Sequence, residues 1–465
     1  MTRPDEATGG AGRPVLSRQE IGSVLRLGAV LSLRMLGLFM IYPVFAALSS
    51  HYAGASAFTV GLALGSYGLT QGLFQLPFGW LSDRFGRKRI IILGLILFAA
   101  GSFVAALATT ITALIVGRFF QGFGAIGSAT LAMIADVTQE EHRVQAMALA
   151  GALIGSSFAV AIVAGPLLAS AVGLAGIFWL TGVSALLAIP LVMSVRIPGG
   201  AHPPTRPRRL VHALRTVLAK PDLVRLDLGI AIQQAVLTNL FLVLPVLTSR
   251  LLGLSPGRSW ELYLPVLLGA FVVSLPFVIL AEVRGWFRAN LLGAILGLGL
   301  GIAWLIFDRG SGTGLVIALA LYFSAFTLLE ALLPSWVSRI SPVGFSGTAL
   351  GVYSSGQFLG IFAGGLMGGL VLAEGGRMGL LALDVLLVGC WFLIMLPVKP
   401  VKRTRLVIIP TGDRGEGWGG ILAPVPGVLD WHYVEEEARL YLRLDPDQCP
   451  PECLEGLQVR LQGAR

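Results

Sequence analysis

Twelve apolar stretches, each long enough to cross a bilayer, leave this 465-residue chain few ways to fold. They begin near Leu25, Thr59, Ile90, Ile111, Ala146, Gly176, Leu223, Glu261, Leu291, Leu315, Thr348 and Leu380. A membrane helix needs about 20 mostly apolar residues. In hydrocarbon every backbone N–H and C=O must be satisfied inside a helix or a closed barrel. The stretches are too continuous for barrel strands, whose mark is short alternating segments. The chain therefore reads as an all-α polytopic membrane protein. Its 13% charged residues fall well below the content of soluble domains, which is about 25%. Sixty glycines suit helices that pack backbone to backbone.

A net charge of +9 invites a nucleic-acid reading, but the placement of the bases argues for topology instead. One set of alternate loops holds Arg3, Arg13 and Arg18, then Arg84, Arg87, Lys88 and Arg89. It continues through Arg206, Arg208 and Arg209, Arg284 and Arg288, to Lys399, Lys402 and Arg403. The opposite loops hold Arg250, Arg258, Arg309 and Arg377. The positive-inside rule then puts both termini in the cytoplasm, with no nucleic acid as partner. The polar first 20 residues lead into a span too long for a signal-peptide core, so no cleavable leader is expected. Cys390, Cys449 and Cys453 make no disulfide framework.

The longest polar interruption, "RIPGGAHPPTRPRRLVHALRTVLAKPD", divides the spans six and six. The halves echo each other about 200 residues apart. "FMIYPV" in span one matches "FLVLPV" in span seven, and "LPFGWLSDRFGR" matches "LPFVILAEVRGW", aligning Asp83 with Glu282; "AMAL" opens span five much as "GTAL" opens span eleven. Two parallel six-helix repeats are a transporter architecture, with the binding site between them near the bilayer midplane. The expected layout is an N-terminal tail (1–20), a six-helix bundle (21–195), a linker (196–221), a second bundle (222–398) and a small cytoplasmic domain (404–465).

The charge cluster "GWLSDRFGRKR" between spans two and three resembles the G-x-L-x-D-x-x-G-R-[KR] signature of the major facilitator superfamily, through Gly79, Leu81, Asp83, Gly86, Arg87 and Lys88. "GRFFQGFGA" in span four, with Arg118, Gln121 and Gly122, is similar to a second pattern of that family. "AIVAGPLLAS" in span five resembles its antiporter motif around Gly165 and Pro166, a helix hinge, with Ala161 and Ala169 where glycine is usual. "SLRMLGLFMIYPV" and "ALLPSWVSRISPVGFSGTALGVYSSGQFLG" look like the YajR type of these facilitators. The resemblance implies twelve transmembrane helices in two pseudo-symmetric bundles. It also implies a cytoplasmic latch in which Arg87 reaches Asp136 at the end of span four. The Asp83 carboxylate is expected against the first turn of span eleven, whose free N–H groups and positive dipole end suit an anion.

An ionisable group inside a span is a functional candidate by default. Arg34 lies halfway along span one and shares a helical face with Tyr42. Tyr67, Gln71 and Gln75 form an i, i+4, i+8 stripe in span two. Arg118 and Gln121 are i, i+3 neighbours in span four, and Tyr353 and Gln357 repeat the device in span eleven. The two arginines tilt the cavity toward anionic or neutral cargo. Glu330 in span ten reads equally as a proton carrier or as a static strut. Asp384 is a weaker candidate, on a span that is peripheral in the family fold, and Asp227 reads as a solvated residue near a helix end. Gly356, Gly360, Gly364 and Gly368, like Gly61, Gly65, Gly68 and Gly72, read as small-residue packing stripes.

Beyond Lys402 the composition turns to strands: "RLVIIP", then two around an acidic turn in "VLDWHYVEEEARLYLRLD", with a short helix in "PPECLEGLQVRLQ". The order is that of a small α+β ferredoxin-like domain and resembles the heavy-metal-associated domains. The first helix is eroded to "GEGWGGILAPV" and the CxxC loop is absent, so no metal is expected, and an interaction or regulatory role fits better. The sequence shows no P-loop, catalytic triad or HExxH, so neither an enzyme nor a cofactor is expected. The overall expectation is a secondary transporter of the bacterial cytoplasmic membrane, exporting small amphipathic compounds by proton-coupled alternating access. Its partners are substrate, protons and the lipid bilayer, with a cytoplasmic partner for the tail, and the family implies a monomer. A nutrient symporter or facilitator, and a membrane sensor signalling through the tail, stay open as alternatives.

Overall fold

Ser17 opens the first helix. Its hydroxyl accepts from the Glu20 amide while the Glu20 carboxylate accepts from the Ser17 amide, a reciprocal cap that satisfies two otherwise orphaned donors. From there α1 (Arg18–Phe39) and α2 (Tyr42–Leu48) make span one. Pro43 causes the break between them, because it lacks an N–H and crowds the turn before it. Spans two and three are α3 (Ala57–Phe85) and α4 (Arg87–Ala106), and span four is α5 (Ile111–Gly122) followed by α6 (Gly127–Asp136). Spans five and six form α7 (Arg143–Ser194), broken at Gly173 with φ 67°.

A short helix, α8 (Leu210–Leu218), precedes span seven, α9 (Pro221–Leu252). Spans eight to ten are α10 (Trp260–Arg284), α11 (Phe287–Phe307) and α12 (Gly312–Ile340). Spans eleven and twelve form α13 (Ser346–Met395), broken at Gly376 with φ 62°. Both breaks use left-handed backbone that only glycine adopts freely, and they stand at equivalent places in the two halves.

This computed structural model describes residues 16–139, 142–196, 210–307, 311–342, 345–398, 405–410, 427–434 and 439–445, with Leu422, Val425, Gln448 and Cys449. Most of the N-terminal tail and linker, the expected helix at 450–462 and Cys453 lie outside the described residues.

The two six-helix bundles meet most closely along spans two and eleven. A Cβ on Gly61 would strike the Gly365 carbonyl and lie 2.7 Å from Gly369 Cα; one on Gly65 would lie 3.0 Å from Phe362 O. The stripe expected on span eleven packs elsewhere. Gly360 and Gly364 abut the backbone at Ala231 and Ala235 of span seven, and Gly368 abuts the Asn239 side chain. Span eleven thus carries two small-residue faces. One lies within its own bundle, and the other forms the seam between bundles.

In the tail, β1 (Arg405–Pro410), β2 (Val428–Val434) and β3 (Arg439–Leu444) form an antiparallel sheet ordered β1-β3-β2. Alternate β3 residues Leu440, Leu442 and Leu444 build a small core with Ile409, Leu422 and Cys449, as the two-residue period of a strand requires. The expected hairpin is present, and a central β3 is the order of a ferredoxin-like sheet.

Candidate functional site

Span four is broken at residues 123–126, and the break has a use. Arg34 from span one donates to the freed Gly124 carbonyl at 3.1 Å and stands over the Phe358 ring of span eleven at 5.9 Å. Turning the Gln71 amide puts its oxygen 3.0 Å and 3.2 Å from the two Arg34 terminal nitrogens and its nitrogen 3.2 Å from Gly122 O. That orientation gives both terminal nitrogens an acceptor, with Gln75 turning in concert, while Arg34 Nε stays buried without a partner. The span-two stripe therefore meets Arg34 as a unit.

Arg118 is fully buried. It donates to Ala63 O at 3.4 Å, Leu64 O at 3.3 Å and Gln121 Oε1 at 2.6 Å, and it stacks over Tyr67 at 5.0 Å. Gln121 in turn donates to Ser102 of span three at 2.8 Å. All its partners lie within the first bundle, and Arg34 is only 2% exposed. In this state neither guanidinium is offered to a ligand, so the tilt toward anionic cargo has no support in the geometry. Tyr42 crosses between the bundles: its hydroxyl lies 3.4 Å from Thr238 Oγ1, and its ring stands edge-on to Phe241 at 5.5 Å.

The second bundle gathers its polar groups around span seven, where sequence reading singled out none as a pocket residue. Gln233 and Gln234 donate to Glu330 Oε1 at 3.1 Å and 2.8 Å. Asn239 donates to Asp384 Oδ1 at 2.6 Å, so Asp384 faces inward and is fully buried. Asp227 is not solvated as expected: both its carboxylate oxygens are buried without a hydrogen-bond partner. The signal was available in "IQQAVLTNLF", four polar residues on one apolar span. Tyr353 is buried and Gln357 half-buried on span eleven. Gly165 lies against the Met40 carbonyl at the break in span one, one residue before Pro166.

At the basic end, Gly86 takes φ +94° between spans two and three, which explains a glycine there. Gly79 lets span four approach, since a Cβ would lie 3.0 Å from Ser128 Oγ. Arg87 pairs with Asp83, bonds Asp136 at 2.9 Å and donates to Ser82 Oγ at 2.7 Å. Lys88 reaches Met193 O at 3.2 Å. The expected docking of Asp83 on span eleven is not the arrangement seen. Its carboxylate partners Arg87, and open space surrounds Gly347 in the first turn of span eleven. The second half repeats the device in altered form: Glu282 pairs with Arg339 of span ten at 2.6 Å, beside Gly285 at φ 70°.

The family model described as Major Facilitator Superfamily matches residues 27–365. The chain is 38% identical over 426 residues to the inner membrane transport protein YajR of Escherichia coli, covering 90% of this chain and 93% of that one. It is 25% identical over 313 residues to the class B tetracycline resistance protein of Escherichia coli, covering 65% of this chain and 71% of that one. The solved structure of the Escherichia coli xylose transporter XylE, partially occluded and inward open, aligns with a TM-score of 0.64 at 13% identity, covering 82% of this chain and 96% of that one.

Proposed function

We propose that this chain, which belongs to the major facilitator superfamily, is a secondary transporter that couples proton movement to export of small amphipathic compounds. Glu330 carries the reading. It is a half-buried carboxylate deep in span ten, held by two glutamines of span seven. Burying a charge in hydrocarbon is costly, and taking up a proton removes the charge, so protonation and the packing of spans seven and ten are linked. The likeness to a tetracycline resistance protein supports export.

The latch follows from Arg87, which ties the ends of spans two and four through Asp83 and Asp136. With the bundles seamed by spans two and eleven away from the basic end, the geometry supports a state open at the basic end. By the positive-inside rule that end is cytoplasmic, in a cytoplasmic membrane with both termini inside. The chain acts as a monomer, and the tail domain docks a cytoplasmic partner.

The test is pH-gradient dissipation in proteoliposomes challenged with ethidium, fluorescein or glucose, comparing wild type with Glu330→Gln. Cargo-triggered proton flux that the variant loses supports the proposal. Cargo flux without proton movement in wild type would replace it with a facilitator, and preferential uptake in the opposite direction would replace export with symport.

A further inference from the structure

The end of span seven away from the basic loops carries an opening that the transport reading leaves unused. Leu242, Val243, Val246, Leu247 and Arg250 stand at i, i+1, i+4, i+5 and i+8, one broad face of the helix. With Leu372 of span eleven and Arg377 they line a cavity of about 340 Å³, within the range of about 300–1,000 Å³ typical of small-molecule pockets. At about 1.5 Å of rise per residue the wall runs roughly 12 Å from Leu242 to Arg250. Val246 is 43% exposed, and exposure on a span means lipid, so the slot is open to the side as well.

The wall is apolar, and its two charged residues stand at the mouth. Arg250 lies in the last turn of α9, and Arg377 follows the left-handed break at Gly376. Both are exposed. Neither guanidinium has a hydrogen bond, ion pair or aromatic contact among the described residues. Ordinary partners are at hand and unused. An arginine in a last turn can bond the final carbonyls, yet Arg250 does not. Glu374 stands three positions before Arg377, but Gly376 interrupts the helix between them, and no ion pair joins the two. By contrast Arg258, on the same side of the membrane, is held by Glu261 at 2.8 Å and 3.1 Å. Bases are scarce on this side under the positive-inside rule, so two free ones at a single cavity call for an anion.

We propose that this cavity binds an anionic phospholipid of the outer leaflet, its phosphate between Arg250 and Arg377 and an acyl chain along the face of span seven. Planar guanidiniums suit phosphate oxygens through paired N–H donors. An apolar slot beneath a charged mouth suits an amphiphile, whereas a bare phosphate would leave the apolar wall against water. A lipid there bridges span seven and the turn joining spans eleven and twelve, all within the second bundle. The site is distinct from the polar residues of the transport pocket and stands whether or not transport is coupled to protons.

The test is native mass spectrometry of the delipidated full chain titrated with phosphatidylglycerol or phosphatidylethanolamine, both with oleoyl chains. Wild type should hold one phosphatidylglycerol in preference to phosphatidylethanolamine, whose ammonium cancels the phosphate charge. Arg250→Gln combined with Arg377→Gln should weaken that binding roughly 10- to 30-fold, the scale of two bases lost at an anionic lipid surface. Arg258→Gln removes an outer arginine that is already paired and should leave binding unchanged. Val246→Trp puts bulk into the slot at a partly exposed position, keeps both guanidiniums and should weaken binding as well. Glycerol phosphate, the head without its chains, should not displace the lipid. Equal binding by wild type and the double variant overturns the proposal and leaves the arginines as interfacial anchors. Lipid retained in full by Val246→Trp shows that no chain occupies the slot, and displacement by glycerol phosphate assigns the site to a free phosphate ester; either result also overturns it.

Discussion

Replacing Gly68 with alanine should move the conformational equilibrium, whereas replacing Gly364 should only weaken the fold. A Cβ on Gly68 would meet the Phe358 carbonyl of the other bundle and lie 3.0 Å from Phe362 N and 3.1 Å from Ile361 Cβ. The first and second are backbone atoms, so no side chain can rotate aside and the seam itself must part. A Cβ on Gly364 would lie 2.6 Å from Ala235 Cα, but span seven belongs to the same bundle and stays packed in every state of a rocking transporter.

Overpacking costs about 1–3 kcal/mol. Borne by one state alone, that amounts to a population change of about 5- to 150-fold. Spin labels at His51 and Glu374, both exposed at the far ends of spans one and eleven, would report it by electron-spin distance measurements. Gly68→Ala should lengthen the dominant distance, and Gly364→Ala should leave it unchanged while lowering the thermal midpoint. If both variants lower the midpoint and neither moves the distance, the seam persists in both states and the argument from its backbone contacts fails.

Three further outcomes follow from the same geometry. Arg118→Lys should cost roughly 1–3 kcal/mol in thermal unfolding, because an ammonium cannot span two carbonyls and a glutamine as the guanidinium does; an unchanged midpoint would refute the strut. Arg87→Gln should weaken closure of the basic end by no more than about 1 kcal/mol, since Arg87 and Asp136 remain 20% and 35% exposed; labels across that end that show a change far beyond tenfold would contradict a weak latch. Leu442→Asp places a charge in the tail's sealed core and should expose the tail to limited proteolysis without moving the unfolding midpoint of the spans. A shifted span midpoint would show that the tail supports the membrane bundle.

Much of this protein is written in local sequence. Apolar runs of bilayer length and the duplicated "LPF" segments are legible along the chain, and the Ser17 cap depends only on near neighbours; the left-handed breaks at Gly173 and Gly376 came with the structure. The meeting of Arg87 with Asp136, 49 positions apart along the chain, is implied by the family resemblance and not by local spacing. What the sequence could not supply is the rotation of each helix about its own axis. Span twelve is apolar around nearly its whole circumference apart from Asp384, and without an amphipathic face a hydrophobic pattern does not say which side turns inward. That rotation decides whether Asp384 meets Asn239 or lipid, whether Asp227 is solvated or sealed, and which bundle the Gly360 to Gly368 stripe addresses. Arg118 makes the same point in reverse: the sequence shows a charge deep in a span, and only the packing of span two against span four shows carbonyls consuming it. Side-chain identity is local, whereas the partner that gives a buried charge its role comes from another helix, chosen by the packing of the whole bundle.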